Sequence, residues 1–222
     1  MTYYTFHISD SGAIEDIDYK KVNGKTIPFC KMYDDAAFNK LNDILHSTNE
    51  YILNKKALNI IKESKTIEYE LIKAKVLRKE KLFGFLKKYQ SYEYFQLIFP
   101  DQNATECYDW IDFKESEIFA TDNNGKELKV TSHQNSLDLI SENTSDSDNR
   151  FTFQTKKVVF GKNFDSEIDL FKIPFYSWGV YVSERLKNKL EDAQVVDIGF
   201  AENIEKLGKM WKPHFPIIEF KK

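Results

Sequence analysis

Cysteine is scarce in this sequence: its 222 residues include only Cys30 and Cys107, and no CxxC pair occurs. Two isolated cysteines exclude a disulfide framework and give no zinc-ligand spacing. The sequence also has no run of about 18 consecutive apolar residues, and its first residues lack the basic and apolar regions of a secretory signal. We therefore expect a cytoplasmic protein that does not cross a membrane and holds two reduced thiols.

Glycine and histidine are sparse as well. The eight glycines are scattered, and neither GxGxxG nor GxxxxGK[ST] is present, which argues against a nucleotide-binding enzyme. The four histidines fall outside patterns such as HExxH. The sequence thus predicts no cofactor, no metal site and no catalytic residue.

Aromatic residues, by contrast, are abundant, with 18 Phe and 12 Tyr. A chain of this length and composition can bury a substantial core without disulfides or metals. The order of helix and strand patterns predicts an α+β fold with antiparallel or mixed sheets and a few short amphipathic helices. We expect one domain over residues 1–222, with a division into lobes 1–100 and 101–222 as the alternative.

Charge is unevenly distributed along the chain, although the formal net charge is only -3. Residues 55–88 contain 11 basic and 4 acidic side chains, whereas residues 101–149 contain 3 basic and 12 acidic ones. Such runs are typical of solvated surface, and they can also steer a charged macromolecular partner. The charge pattern alone does not choose between these roles.

Several short signals predict turns, strands and loops. The dipeptides Asn23-Gly24 and Asn124-Gly125 supply the positive φ angles of tight hairpin turns. Aromatic or β-branched runs at Tyr92–Phe99 and Val158–Gly161 predict strands. The polar stretch 141–150 predicts a flexible loop, and the two prolines near the C-terminus predict an extended tail at a surface or sheet edge.

Two amphipathic helices are predicted in the first part of the chain. One begins after Asn54, with the apolar stripe Ala57, Leu58 and Ile61. The other begins behind Asp34 or Asp35, with the apolar residues Phe38, Leu41 and Leu45.

A third helix begins at Ser183, whose hydroxyl suits the N-cap position better than the role of a nucleophile. Aligning Asn54 with Ser183 gives the same order of cap, helix and strand in both places. Because identities are almost absent, chance recurrence is the simpler explanation, and an internal duplication is the alternative.

The acidic residues Asp109, Asp112, Glu115 and Glu117 are candidates for chemistry. Paired carboxylates can serve acid–base catalysis or bind a hard cation, so a small enzyme is one alternative. Because aromatic residues are interleaved with them, the simpler interpretation is a strand or turn with a buried aromatic face and a wet acidic face. A cationic partner protein could also bind that face.

The stretch KVLRKEKLFGFLKKYQSYEYF combines lysines with aromatics and raises the alternative of nucleic-acid binding. It contains a single arginine and no recognised motif, and the chain has a pI of about 5.9. A solvated lysine face over buried aromatics is therefore favoured, and we do not expect a nucleic-acid partner.

Two phrases, CYDWIDFKESEIF and IDLFKIPFYSWGVYVSERLKNKLEDAQVVDIGF, resemble a family of immunity proteins from bacterial polymorphic toxin systems. The resemblance covers residues 106–201 best, and the SERLK phrase is its most distinctive part. The matching residues are Tyr108, Asp109, Ile111, Asp112, Phe113, Ser116, Asp169, Leu170, Phe171, Pro174, Val182, Ser183, Glu184, Arg185, Leu186, Lys187, Leu190, Glu191, Ala193, Ile198 and Phe200.

This resemblance implies a non-enzymatic α+β protein that binds and neutralises a cognate toxin encoded beside it. The acidic stretch would suit a cationic toxin such as a nuclease, because complementary fields accelerate and orient association. The expected partner contacts are Asp109, Asp112, Glu115, Glu117, Trp178, Tyr181 and Arg185.

Overall fold

The structure, a computed structural model, describes residues 2–8, 14–33, 41–47, 50–82, 86–99, 106–145, 151–173, 176–177, 179–195, 198–201 and 216–221. Within these ranges the strands are β1 (Tyr3–Ile8), β2 (Ile14–Val22), β3 (Lys25–Met32), β4 (Ile44–Ser47), β5 (Glu50–Leu53), β6 (Glu70–Leu82), β7 (Leu86–Ile98), β8 (Glu117–Thr121), β9 (Glu127–Lys129), β10 (Thr152–Phe160), β11 (Leu170–Lys172), β12 (Val180–Ser183), β13 (Ile198–Ala201) and β14 (Ile217–Phe220). The α-helices are α1 (Lys55–Lys62), α2 (His133–Ser145) and α3 (Glu184–Asp192). The predicted α+β class, with mixed sheets, is confirmed.

The largest sheet has six strands in the order β2-β3-β6-β7-β5-β4. Its two edge strands, β2 and β4, contact each other, so the sheet curls around its own apolar core. Every strand contributes to that core, which contains Ile14, Cys30, Met32, Leu45, Ile52, Ala74, Val76 and Tyr94. The amide of Gln96 donates to the Tyr19 hydroxyl at 3.1 Å, which links β7 to β2.

A four-stranded sheet, ordered β11-β12-β1-β13, lies at the centre of the molecule and is covered on both faces. Alternate residues of its strands point to opposite sides, as the period of a strand requires. Tyr3, Phe171 and Tyr181 belong to one apolar cluster, while Tyr4 and Val182 belong to another. Such two-sided burial explains why β12 has three successive apolar residues, Val180–Val182, instead of an alternation of apolar and polar ones.

The remaining sheet has the order β14-β10-β8-β9 and shares the first of these clusters with the central sheet. Strand β14 pairs in parallel with β10 at the sheet edge, which confirms the extended tail for residues 217–220. Helix α2 adds Leu139 to the same cluster. The second cluster is completed by α1 and α3, which pack against each other.

The units around α1 and α3 share one topology. Strand β5 leads into α1 and then β6, and β7 lies antiparallel between these two strands. Strand β12 leads into α3 and then β13, and β1 lies antiparallel between them. Each unit is therefore a split β-α-β arrangement. Because β1 belongs to the second unit, the sheets do not follow a boundary at residue 100.

The local predictions have mixed outcomes. Both Asn-Gly hairpins form, and Gly24 and Gly125 have φ of 78°. Helix α1 begins after Asn54 as predicted. The helix predicted behind Asp34 or Asp35 falls largely on residues 34–40, outside the described ranges, and its extension to Leu45 is wrong because Leu45 pairs with Ile52 in β4.

The predicted loop at 141–150 is also wrong in its first half. Residues 141–145 complete the last turns of α2, and the rest of the stretch lies outside the described residues. The helix continues because Leu139, three residues after the buried Ser136, anchors it to the core. Tertiary packing thus overrides the weak helix propensity of the serine and asparagine residues that follow.

Candidate partner interface

The SERLK phrase begins where β12 becomes α3. Ser183 has extended backbone angles, and its hydroxyl oxygen accepts from the Leu186 backbone N–H at 3.1 Å, which confirms it as the N-cap. The same hydroxyl donates to Asp169 Oδ1 at 2.6 Å. Ser183 therefore ties the start of α3 to the loop before β11.

Asp169 is the centre of this network, with a side chain that is only 4% exposed. Its carboxylate accepts from the Ser183 hydroxyl, from Arg185 Nε at 2.9 Å and from the Lys65 backbone N–H at 3.1 Å. Burial acts to raise the pKa of Asp169, but the hydrogen bonds from Ser183, Arg185 and Lys65 outweigh it and hold the pKa below its ordinary value. The backbone of Asp169 also bonds to Lys65 and Ser183, which joins the segment after α1 to the start of α3.

Arg185, a predicted partner contact, is half exposed, but three of its nitrogens already bond within the chain. Nη1 donates to Glu167 Oε2 at 3.1 Å, and Nη2 donates to the Glu167 backbone carbonyl at 2.7 Å. The planar guanidinium thus clamps Glu167 and Asp169 together. In this arrangement Arg185 stabilises the fold, although 48% of its side chain stays exposed.

Tyr181 cannot act as the predicted surface contact, because it is only 1% exposed. Its ring stacks on Phe171 with centroids 5.2 Å apart, and its hydroxyl lies 2.7 Å from the Ser177 hydroxyl. The prediction was wrong because both faces of the central sheet are covered. Trp178, the other predicted aromatic contact, lies outside the described residues.

The four predicted acidic contacts lie close in sequence but in different local settings. Asp112 caps a tight turn by accepting from the backbone N–H groups of Lys114 at 3.1 Å and Glu115 at 3.2 Å. It also forms an ion pair with Lys221, whose hydrogen bond is the main reason that the pKa of Asp112 is lowered. Both carboxylate oxygens of Asp112 therefore already have partners within the protein.

Glu117 is also paired, since Lys157 Nζ lies 3.8 Å from its carboxylate and 3.5 Å from that of Glu219. Asp109 and Glu115 are exposed, and neither forms an ion pair with another described residue. The acidic set therefore divides into two paired and two open members. Within the described ranges, no group of three or more His, Cys, Asp or Glu side chains is arranged to hold a metal ion.

The basic residues of segment 55–88 lie mainly on α1 and on the long hairpin formed by β6 and β7. The hairpin extends well past its neighbours, because β3 pairs with β6 only through Lys75–Leu77 and β5 pairs with β7 only from Phe95. Sequence reasoning missed this projection, although the glycine-centred stretch LFGFL between two alternating runs is a hairpin signal. Only the cross-strand pairing reveals how far it reaches.

Comparisons with family models, curated proteins and solved structures give no match for this chain. No helix in the described part of the chain is long and apolar enough to cross a bilayer. The interface must therefore be interpreted from its own residues.

Proposed function

We propose that this protein binds a cognate bacterial toxin stoichiometrically and neutralises it in the cytoplasm of the cell that makes both. The proposal rests on the resemblance to immunity proteins of polymorphic toxin systems. Its partner would be the toxic domain of a protein encoded beside it, and binding would block the active site or the access of substrate to it.

The observation that carries the proposal is that residues of the SERLK phrase, Ser183–Lys187, stabilise the fold. Within this phrase Ser183 caps a helix, Arg185 bonds to the carboxylates of Asp169 and Glu167, and Leu186 is buried. A sequence phrase that builds a scaffold in this way leaves the exposed surface free to differ between members, and each member can then fit its own toxin. This is the pattern expected of a family of specific binding proteins.

Among the four predicted acidic contacts, Asp109 and Glu115 are the best placed to meet a cationic toxin, because they are exposed and carry no internal ion pair with a described residue. Asp112 and Glu117 would first have to give up Lys221 and Lys157. Exposed charges of this kind mainly raise the association rate and are screened by salt.

The direct test is co-expression with the C-terminal domain of a large secreted protein encoded in the neighbouring reading frame. We expect that domain to stop growth alone and to be harmless with this protein, and we expect the purified pair to form a complex of fixed stoichiometry. Equal killing with and without this protein would refute the assignment for that pair.

The acidic surface has its own test. Replacing Asp109→Asn together with Glu115→Gln should weaken toxin binding about tenfold at low salt and much less at high salt. The matched control, Glu63→Gln with Glu68→Gln, removes two exposed acids from the region of α1 and should leave affinity unchanged. If both double variants bound the toxin with the affinity of the original protein, the surface that contains Asp109 and Glu115 would be excluded as the contact.

A further inference from the structure

The distal part of the β6–β7 hairpin forms a two-stranded arm, defined as residues 78–82 and 86–90. Cross-strand pairs run from Arg78 opposite Gln90 to Leu82 opposite Leu86. In the described part of the chain no third strand pairs with either side of it. Five residue pairs at the rise of a strand give a projection of about 17 Å.

The arm carries a surplus of positive charge. It contains five basic residues and one acidic residue, Glu80. Glu80 is already engaged, because its carboxylate accepts from the Tyr92 hydroxyl at 2.5 Å and lies 3.6 Å from Arg78. Lys88 is exposed and lies opposite Glu80 in the pairing register, and it forms no ion pair with a described residue.

The described side chains of the arm place a cation beside an aromatic ring. Lys79 lies with its Nζ 5.8 Å from the centroid of the Tyr89 ring, and Tyr89 is 43% exposed. The arm therefore presents basic side chains together with an exposed aromatic surface.

The outer edge of β7 supplies a second kind of binding group. Residues 88–91 are exposed, and the neighbouring strand β5 pairs only with residues 95–97. An open strand edge offers alternating backbone N–H and C=O groups. An added peptide strand can satisfy both kinds of group, with side-chain contacts giving specificity.

We propose that the arm is a docking site for an acidic, extended polypeptide segment of a partner protein, which adds to the β7 edge and places carboxylates beside the lysines. This inference goes beyond the proposed function and does not depend on it. A polypeptide is favoured over nucleic acid or a lipid headgroup because an extended peptide backbone presents alternating N–H and C=O groups at the spacing of a strand edge. The single guanidinium of the arm is also already beside Glu80.

The test uses a fluorescent peptide of alternating Glu and Thr, about ten residues long, which can form one strand with a row of carboxylates. The same titration is made with oligothymidine and with vesicles of phosphatidylcholine and phosphatidylserine. The arm variant is Lys79→Gln with Lys88→Gln. Its matched control is Lys55→Gln with Lys62→Gln, which removes the same charge from exposed positions of α1.

We expect the peptide to bind the original protein, to bind the arm variant about tenfold more weakly and to bind the control variant unchanged. Hydrogen exchange should show that the peptide protects backbone amides in residues 88–91. Equal affinity for the two variants would overturn the proposal, as would tighter binding of oligothymidine or vesicles than of the peptide. Absence of peptide binding would also overturn it, since the lysines would then serve only to prevent another strand from pairing with the β7 edge. None of these results bears on rescue from the toxin.

Discussion

The network around Asp169 and the β6–β7 arm both concentrate charged side chains, but they satisfy them in opposite ways. Around Asp169 a buried carboxylate is met by a hydroxyl, a guanidinium and a backbone N–H. On the arm, five basic residues accompany one acid, and no described strand pairs with its outer sides. The difference teaches that the charges around Asp169 maintain the fold, whereas the excess of basic residues on the arm is the charge that the proposed docking would use.

Removing the carboxylate of Asp169 should give the largest loss of stability. Asp169→Ala leaves the Ser183 hydroxyl, the Arg185 guanidinium and the Lys65 N–H without their acceptor, so we expect the free energy of unfolding to fall by about 2–4 kcal/mol. Urea denaturation measures this. As a control, Glu167→Gln removes an exposed partner of Arg185 and should cost less than about 1 kcal/mol. Equal losses in the two variants would remove the distinction between the buried network and the surface.

The two helix caps should differ in their contribution to stability. Ser183→Ala removes both the cap of α3 and a hydrogen bond to buried Asp169, so it should cost about 2 kcal/mol. Asn54→Ala removes the cap of α1, where the side chain accepts from the Ala57 N–H at 3.0 Å, and should cost about 1 kcal/mol. Thermal unfolding of both variants checks the order. A larger loss of stability for Asn54→Ala would show that the hydrogen bond from Ser183 to Asp169 does not contribute to the free energy of unfolding.

The lowered pKa of Asp169 predicts acid sensitivity. The unfolded chain has an Asp pKa near ~3.9, and the folded value lies below it, so the folded state binds fewer protons in this range. The stabilisation is complete above about pH 4 to 5 and is lost as the pH falls through the folded pKa. Unfolding free energies measured along an acid series should therefore drop more steeply for the original protein than for Asp169→Asn. Parallel curves would contradict this assignment.

The arm should show the smallest effect on stability. Lys88→Gln removes an exposed lysine that forms no ion pair with a described residue, so the free energy of unfolding should change by no more than about 0.5 kcal/mol. Urea denaturation at low and high salt measures it, and the change should shrink at high salt. A clear loss of stability would mean that this lysine supports the fold, which would break the contrast with Asp169.

Local chemistry made part of this structure predictable. The caps Asn54 and Ser183 and the turns at Gly24 and Gly125 depend on short-range hydrogen bonds and backbone angles, which neighbouring residues determine. The burial of Tyr181 depends on a second layer covering the central sheet. Likewise, Asp112 meets Lys221, which lies far along the chain, and Asp169 meets Lys65. Such contacts follow from the tertiary arrangement. The sequence therefore predicted four acidic side chains open to a partner, whereas Asp112 and Glu117 are paired in the structure.

The central claim is that the SERLK phrase builds the fold while exposed residues bind the partner. The most direct measurement is a calorimetric titration of the proposed toxin partner, once co-expression has identified it, into Ser183→Ala under conditions where the variant is fully folded. We expect the dissociation constant and stoichiometry of the original protein, together with a lowered free energy of unfolding. A folded Ser183→Ala variant that bound the toxin at least tenfold more weakly would contradict the account, because it would place the phrase in the binding site.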